Sequence, residues 1–244
     1  MAKLQTISAP IAAATGDDAT RKALVVAAFR LFAMEGVGAV SLRRITASAG
    51  AANQSAIHYH FSNRLGLVRA VLDHVNEMLG PLQTEAIAEL DAVARERRPS
   101  VDEIVRIGLS PYVHLHQTSD EGERALRFLS RLTWESGADA QKLMLEKVRP
   151  YFLRLLPFLE RALPHKSAEA LDFQLYMAAA NVIHGLADIT LLGQEPMSSV
   201  DRLYKERPLD MLRYFYDYIA AGLAGPCTSA AKPAKARAGK RKRT

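Results

Sequence analysis

Between Ser41 and Arg64 the chain reads SLRRITASAGAANQSAIHYHFSNR, a stretch whose polar residues suit a defined chemistry. Asn53, Gln54, Ser55, His58 and Tyr59 bring amide, hydroxyl, imidazole and phenol groups within about two helical turns. Such groups donate to and accept from base edges and phosphates in a DNA groove. Arg43, Arg44 and Arg64 add positive charge with no acid beside them in the sequence. Metal ligation by His58 and His60 is the competing chemistry, and side chains two apart on a helix point away from each other.

Further along, His114 and His116 have the same unfavourable spacing and read as pocket or surface histidines. His184 and Asp188 lie one helical turn apart, so they can share a metal or an effector proton, or form a buried polar pair in a helix interface. Phe128, Trp134, Tyr151, Phe152, Tyr176 and Met177, with His114, Asn181 and His184 as polar partners, are candidates to line an apolar small-molecule cavity. At helical spacing the same residues also make ordinary core.

The elements that must position these groups are helical. Apolar residues recur at spacings of three and four and do not alternate, so the chain reads as all-α. Residues 1–19 read as a mobile arm. Thr20 is placed to cap a first helix, with Leu24, Ala27, Ala28, Leu31 and Phe32 on its inner side and Gly36 at its end. Ser41 caps a short helix broken at Gly50, and Ile57 and Phe61 form the buried stripe of the next. Ser62 and Asn63 cap a long helix from Arg64 that Pro81 is expected to bend or end, and Leu82 to Glu96 is again amphipathic. Later helices follow Ser100, Ser167 and Ser199, with a segment from Leu143 to Leu163 interrupted by Pro150 and Pro157. The stretch from Phe173 to Leu192 is apolar on more than one side and must be covered on more than one side. GVGAVS, from Gly36 to Ser41, is not a dinucleotide loop: it has no third glycine and follows a helix.

The formal charge of +6 is misleading as a nucleic-acid signature. Residues 228–244 carry seven Lys and Arg and no acid, which leaves −1 for residues 1–227. The reading of DNA therefore rests on local arrangement, and the tail can add only counterion release without specificity, or serve as a solubilising extension. One cysteine, Cys227, cannot form an internal disulfide. With no apolar core of a secretory signal near the N-terminus and no stretch apolar enough to span a bilayer, the expected place is the cytoplasm.

From Thr20 to Leu72 the sequence resembles the DNA-binding domain of the tetracycline-repressor-like family of bacterial regulators. The resemblance is carried by TR at the start, AA and LF in the first helix, Gly36, the run Ser-Leu-Arg-Arg-Ile, Ala49-Gly50, and His60-Phe61 followed by a basic residue and Leu67. The C-terminal two-thirds is similar only in general helical character. The resemblance implies a homodimer with a three-helix helix-turn-helix domain at 20–66, a ligand-binding and dimerisation domain at 67–225 and a basic tail at 226–244. It implies that Ser41 caps and touches phosphate, that Arg43 reaches a base edge, and that Gln54, Ser55, His58 and Tyr59 occupy the recognition face. His60 and Arg64 are implied as DNA-backbone contacts. The turn has one residue more between Gly50 and the His-Phe pair than the commonest form of the family, and His58 stands where that form has Tyr.

The expected function is a ligand-responsive repressor of a palindromic operator, needing no cofactor and no metal. An architectural DNA-coating protein relying on its tail is the alternative. An enzyme is a weaker one, since the chain contains no GxSxG, P-loop, CxxC or HExxH motif.

Overall fold

A computed structural model describes residues 16–51, 55–135, 137–192, 202–203 and 205–226, without the side chains of residues 134–135 and 190–192. Among them lie nine helices of seven or more residues and no strand: α1 (Gly16–Glu35), α2 (Leu42–Ser48), α3 (Ser55–Phe61), α4 (Arg64–Glu96), α5 (Val101–Thr118), α6 (Asp120–Glu135), α7 (Gly137–Ala162), α8 (Ala168–Leu192) and α9 (Pro208–Ala224).

Several boundaries follow from capping chemistry. The Ser41 hydroxyl accepts from the Arg44 amide, the Asn63 side chain from the Gly66 amide at 2.9 Å, and the Ser167 hydroxyl from the Ala170 amide at 3.2 Å. At α5 the cap is reciprocal: Ser100 accepts from the Glu103 amide while the Glu103 carboxylate takes the Ser100 amide, so two otherwise orphaned N–H groups are satisfied.

Other boundaries differ from the sequence expectation. The first helix begins at Gly16, so residues 16–19 are not part of an arm, and the Thr20 hydroxyl donates to the Gly16 carbonyl inside the helix instead of capping it. Asp17 and Asp18 favour that earlier start, because a carboxylate in the first turn is stabilised by the helix dipole. Pro81, Pro150 and Pro157 lie inside continuous helices. An internal proline costs about 3 kcal/mol; here Leu79, Ile87 and Leu90 around Pro81, and Tyr151, Phe152, Leu155 and Phe158 around the other two, are buried, and this packing outweighs the loss. The last helix starts at Pro208, with Arg207 giving no side-chain cap; Ser199, expected to cap it, lies outside the described residues.

One continuous apolar cluster joins the small N-terminal bundle to the larger helical body. Within α1–α3 it contains Leu24, Ala28, Phe29, Phe32, Ile45, Ile57 and Phe61. The α1–α6 contact carries it onward: Phe128 of α6 stacks on Phe32, with ring centroids 6.3 Å apart, and meets Phe29 edge-on at 6.4 Å. Helix α4 runs from the bundle along α5 and α7, and Lys147 of α7 pairs with Asp73 on its flank at 2.5 Å.

Candidate functional site

The two short helices are fixed by what they bury. Ile45 of α2 and Ile57 of α3 are fully buried and Phe61 nearly so, and the Arg21 guanidinium lies 5.4 Å over the Phe61 ring. Between the helices Gly50 has φ of +68°, a left-handed conformation that a side chain disfavours. Burying one side of each helix leaves Arg43, Ser55, His58 and Tyr59 facing outward, Tyr59 with 75% of its surface exposed. The His58 ring is steadied by its Nδ1, 3.1 Å from the Ser62 carbonyl oxygen. Arg43 makes no ion pair among the described residues, while its carbonyl accepts from the Thr46 hydroxyl at 2.9 Å. Asn53 and Gln54, expected on the same face, lie outside the described residues.

Three of the side chains expected to contact DNA at this surface are engaged elsewhere. Arg44 is ion-paired with Glu35, which is distant in sequence but is brought beside it by the turn between α1 and α2. The His60 side chain is only 6% exposed and faces Asp17 of α1 at 3.7 Å, which is not the setting of a DNA-backbone contact. Arg64 Nη1 donates to the Val37 carbonyl at 2.6 Å and the Val40 carbonyl at 2.7 Å, tying the start of α4 to the α1–α2 loop. In each case the decisive partner comes from another helix or loop and has no signature near the residue.

A cavity of about 570 Å³ opens between α7 and α8, with the end of α6 behind it. Its walls are mostly apolar: Met144, Val148 and Phe152 from α7, Leu175, Ala179 and Ile183 from α8. The polar groups are few and held. Thr133 donates to the Met144 sulfur at 3.2 Å, Gln141 donates to the Thr133 carbonyl at 2.7 Å, and Arg149 and Asp172 meet loosely at 3.4 Å where both are half exposed. His184 Nδ1 lies 2.7 Å from the Ser130 hydroxyl of α6. Burial lowers the His184 pKa, opposed in part by the negative charge of Asp188, so a neutral imidazole is favoured.

Of the residues expected to line such a cavity, Phe152, Tyr176, Met177 and His184 do. Phe128 does not; it is fully buried against α1. Tyr151 is core, its hydroxyl donating to the Gly108 carbonyl at 2.6 Å, and burial pushes its pKa up. His114 is exposed on α5, and Asn181 donates to the Met177 carbonyl without reaching the cavity wall. The Trp134 side chain is outside the described set. Thr133, Gln141, Met144 and Val148 were missed because wall membership depends on the relative rotation of α7 and α8. No helix among the described residues is long and apolar enough to cross a membrane, and no group of three or more His, Cys, Asp and Glu is placed there to hold a metal.

Two short helices joined by a glycine turn, with a polar outer face and a helical body behind them, define a helix-turn-helix DNA-binding transcription regulator. Residues 24–71 match the family model described as bacterial regulatory proteins, tetR family, and residues 106–222 match the model described as tetracyclin repressor-like, C-terminal domain. The chain belongs to the tetR family of bacterial regulators. Among solved structures it is similar to NalD, the secondary repressor of the MexAB-OprM multidrug efflux pump in Pseudomonas aeruginosa, at 17% identity and a TM-score of 0.55 over 84% of this chain and 97% of that one. It is also similar to HlyIIR, a hemolysin II transcriptional regulator, at 13% identity and a TM-score of 0.51 over 86% and 97%. At these identities the likeness is one of fold. No curated protein matches the chain.

Proposed function

We propose that this regulator is a ligand-responsive repressor acting as a homodimer, with Ser41, Arg43, Ser55, His58 and Tyr59 forming the surface that meets operator DNA. The observation that carries the reading is the apolar cavity between α7 and α8, set in the same body that bears the helix-turn-helix through α4 and α6. A volume of about 570 Å³ suits a small organic molecule. Dimerisation is supported by the exposed apolar residues of the last two long helices: Phe173 on α8, and Leu209, Tyr214 and Tyr218 on α9. Two reading heads held by such a dimer would enter successive major grooves roughly 34 Å apart. An effector that binds one head spacing better than another lowers operator affinity by the difference in its two binding free energies, ordinarily about 1–3 kcal/mol.

A footprint on the DNA flanking the protein's own gene tests this. A protected palindrome that Arg43→Ala and His58→Ala both weaken, with the dimer intact by sedimentation, is the expected result. If both variants protect DNA like the parent, the assigned surface is wrong.

A further inference from the structure

Tyrosines aside, Ser130 and Thr46 are the polar residues buried as whole residues among the described ones, Ser130 at 9% exposure, and Thr46 bonds within its own helix. Ser130 instead reaches across to another helix, where His184 stands in the cavity wall. Two residues earlier on α6, Phe128 packs against the rings of Phe29 and Phe32 on α1, the helix against which α2 packs and whose Arg21 lies over Phe61 of α3. Positions two apart on a helix project about 200° apart. Helix α6 thus has Ser130 toward His184 of the cavity wall and Phe128 toward α1, with no loop between them.

We propose that Ser130 is the positioning residue through which occupancy of the cavity reaches the DNA-binding bundle: its bond to His184 sets where α6 lies, and α6 sets where α1 lies. The inference rests on the cavity being the effector site. A molecule entering beside His184 displaces or turns the imidazole and so breaks or re-aims its bond to Ser130. A buried hydroxyl without a partner is unfavourable, so α6 moves to regain one. Because Phe128 is fully buried among rings, that movement cannot be absorbed by soft packing and is passed to Phe29 and Phe32. Arg30 and Glu121, 3.3 Å apart, make a second tie between α1 and α6 on the exposed side.

The test needs no knowledge of the natural effector, since a large side chain built into the cavity serves as the occupant. Ala180 is half-buried in the cavity wall, and Ala180→Trp places an indole there. Operator affinity is measured by fluorescence anisotropy, on the best duplex selected from a random library, for the parent and Ser130→Ala, each with and without Ala180→Trp. Ser130→Thr, which keeps the hydroxyl, is the rescue, and melting curves confirm that each variant is folded. The expected result is that Ala180→Trp changes affinity about tenfold in the parent, a coupling within the ordinary range for such switches. The change should be under about threefold with Ser130→Ala and return with Ser130→Thr. An equal change in the Ser130→Ala background overturns the role of Ser130 and leaves the cavity reading standing. No change in the parent removes the cavity reading, and this proposal with it.

Discussion

Replacing Arg64 by Ala separates two roles for this residue, a phosphate contact and an internal strap. Its Nη1 donates to the carbonyls of Val37 and Val40 at 2.6 and 2.7 Å, and Val40 itself is fully buried. Hydrogen bonds to a charged group contribute about 1.5–3 kcal/mol each. Arg64 is half-buried, so water can partly replace it, and a total loss of about 2–4 kcal/mol is expected for the two bonds together. For a chain of this size each kcal/mol lowers the melting temperature by roughly 2–4 °C, so Arg64→Ala should melt about 4–16 °C below the parent by circular dichroism. Operator binding, measured well below both melting temperatures, gives the second half of the assay. A lost phosphate contact would flatten the slope of log affinity against log salt by about 0.9, whereas a lost internal strap leaves it unchanged. A variant that melts like the parent but binds with the flatter slope refutes the structural assignment.

Other consequences are equally direct. Gly50→Ala should cost about 1 kcal/mol, from the left-handed backbone alone, since a β-carbon there meets nothing within 4 Å. Gly66→Ala should cost clearly more, because its β-carbon would stand 2.0 Å from the Phe61 carbonyl oxygen and force α3 and α4 apart; urea titrations of the two variants give the order. The Arg97 guanidinium and the Ser100 amide hold the Glu103 carboxyl well below its ordinary value of 4.5. A depressed pKa means that the stabilisation is fully present above pH 4.5 and is lost as pH falls through the folded-state value, so the gap in melting temperature between the parent and Glu103→Gln should narrow as the pH drops below about 4.5. A gap constant between pH 6 and pH 3 (roughly the window set by the linkage relation) would remove the ion pair from that account.

Features governed by neighbours in sequence were legible from sequence alone. Ser41, Asn63, Ser100 and Ser167 cap helices because the amide each satisfies lies three residues away. The inward stripe of Ile45, Ile57 and Phe61 follows from helical spacing, and the outward face of α2 and α3 follows from that stripe. Features that depend on how helices turn toward one another were not legible. The partners of His60, Arg44 and Arg64 are Asp17, Glu35 and the loop carbonyls, each set by the packing of α1 against α2, α3 and α4. Phe128 looked like cavity lining because a buried aromatic on a helix carries no mark of which neighbour covers it. Pro81, Pro150 and Pro157 carry the local signature of a helix break, and the burial around them that keeps the helices continuous has no mark in the sequence.

A sequence-reading surface on α2 and α3 must show itself in the ratio of specific to non-specific affinity. Affinity for the best selected duplex and for a shuffled duplex of equal length should be measured at one fixed salt concentration near the physiological value, for the parent and for Arg43→Ala combined with His58→Ala. The expected parent ratio is at least about 10³, as is usual for specific regulators, and the ratio should be at least about tenfold lower in the double variant. A parent ratio near one, or a large ratio that the double variant leaves untouched, would contradict it.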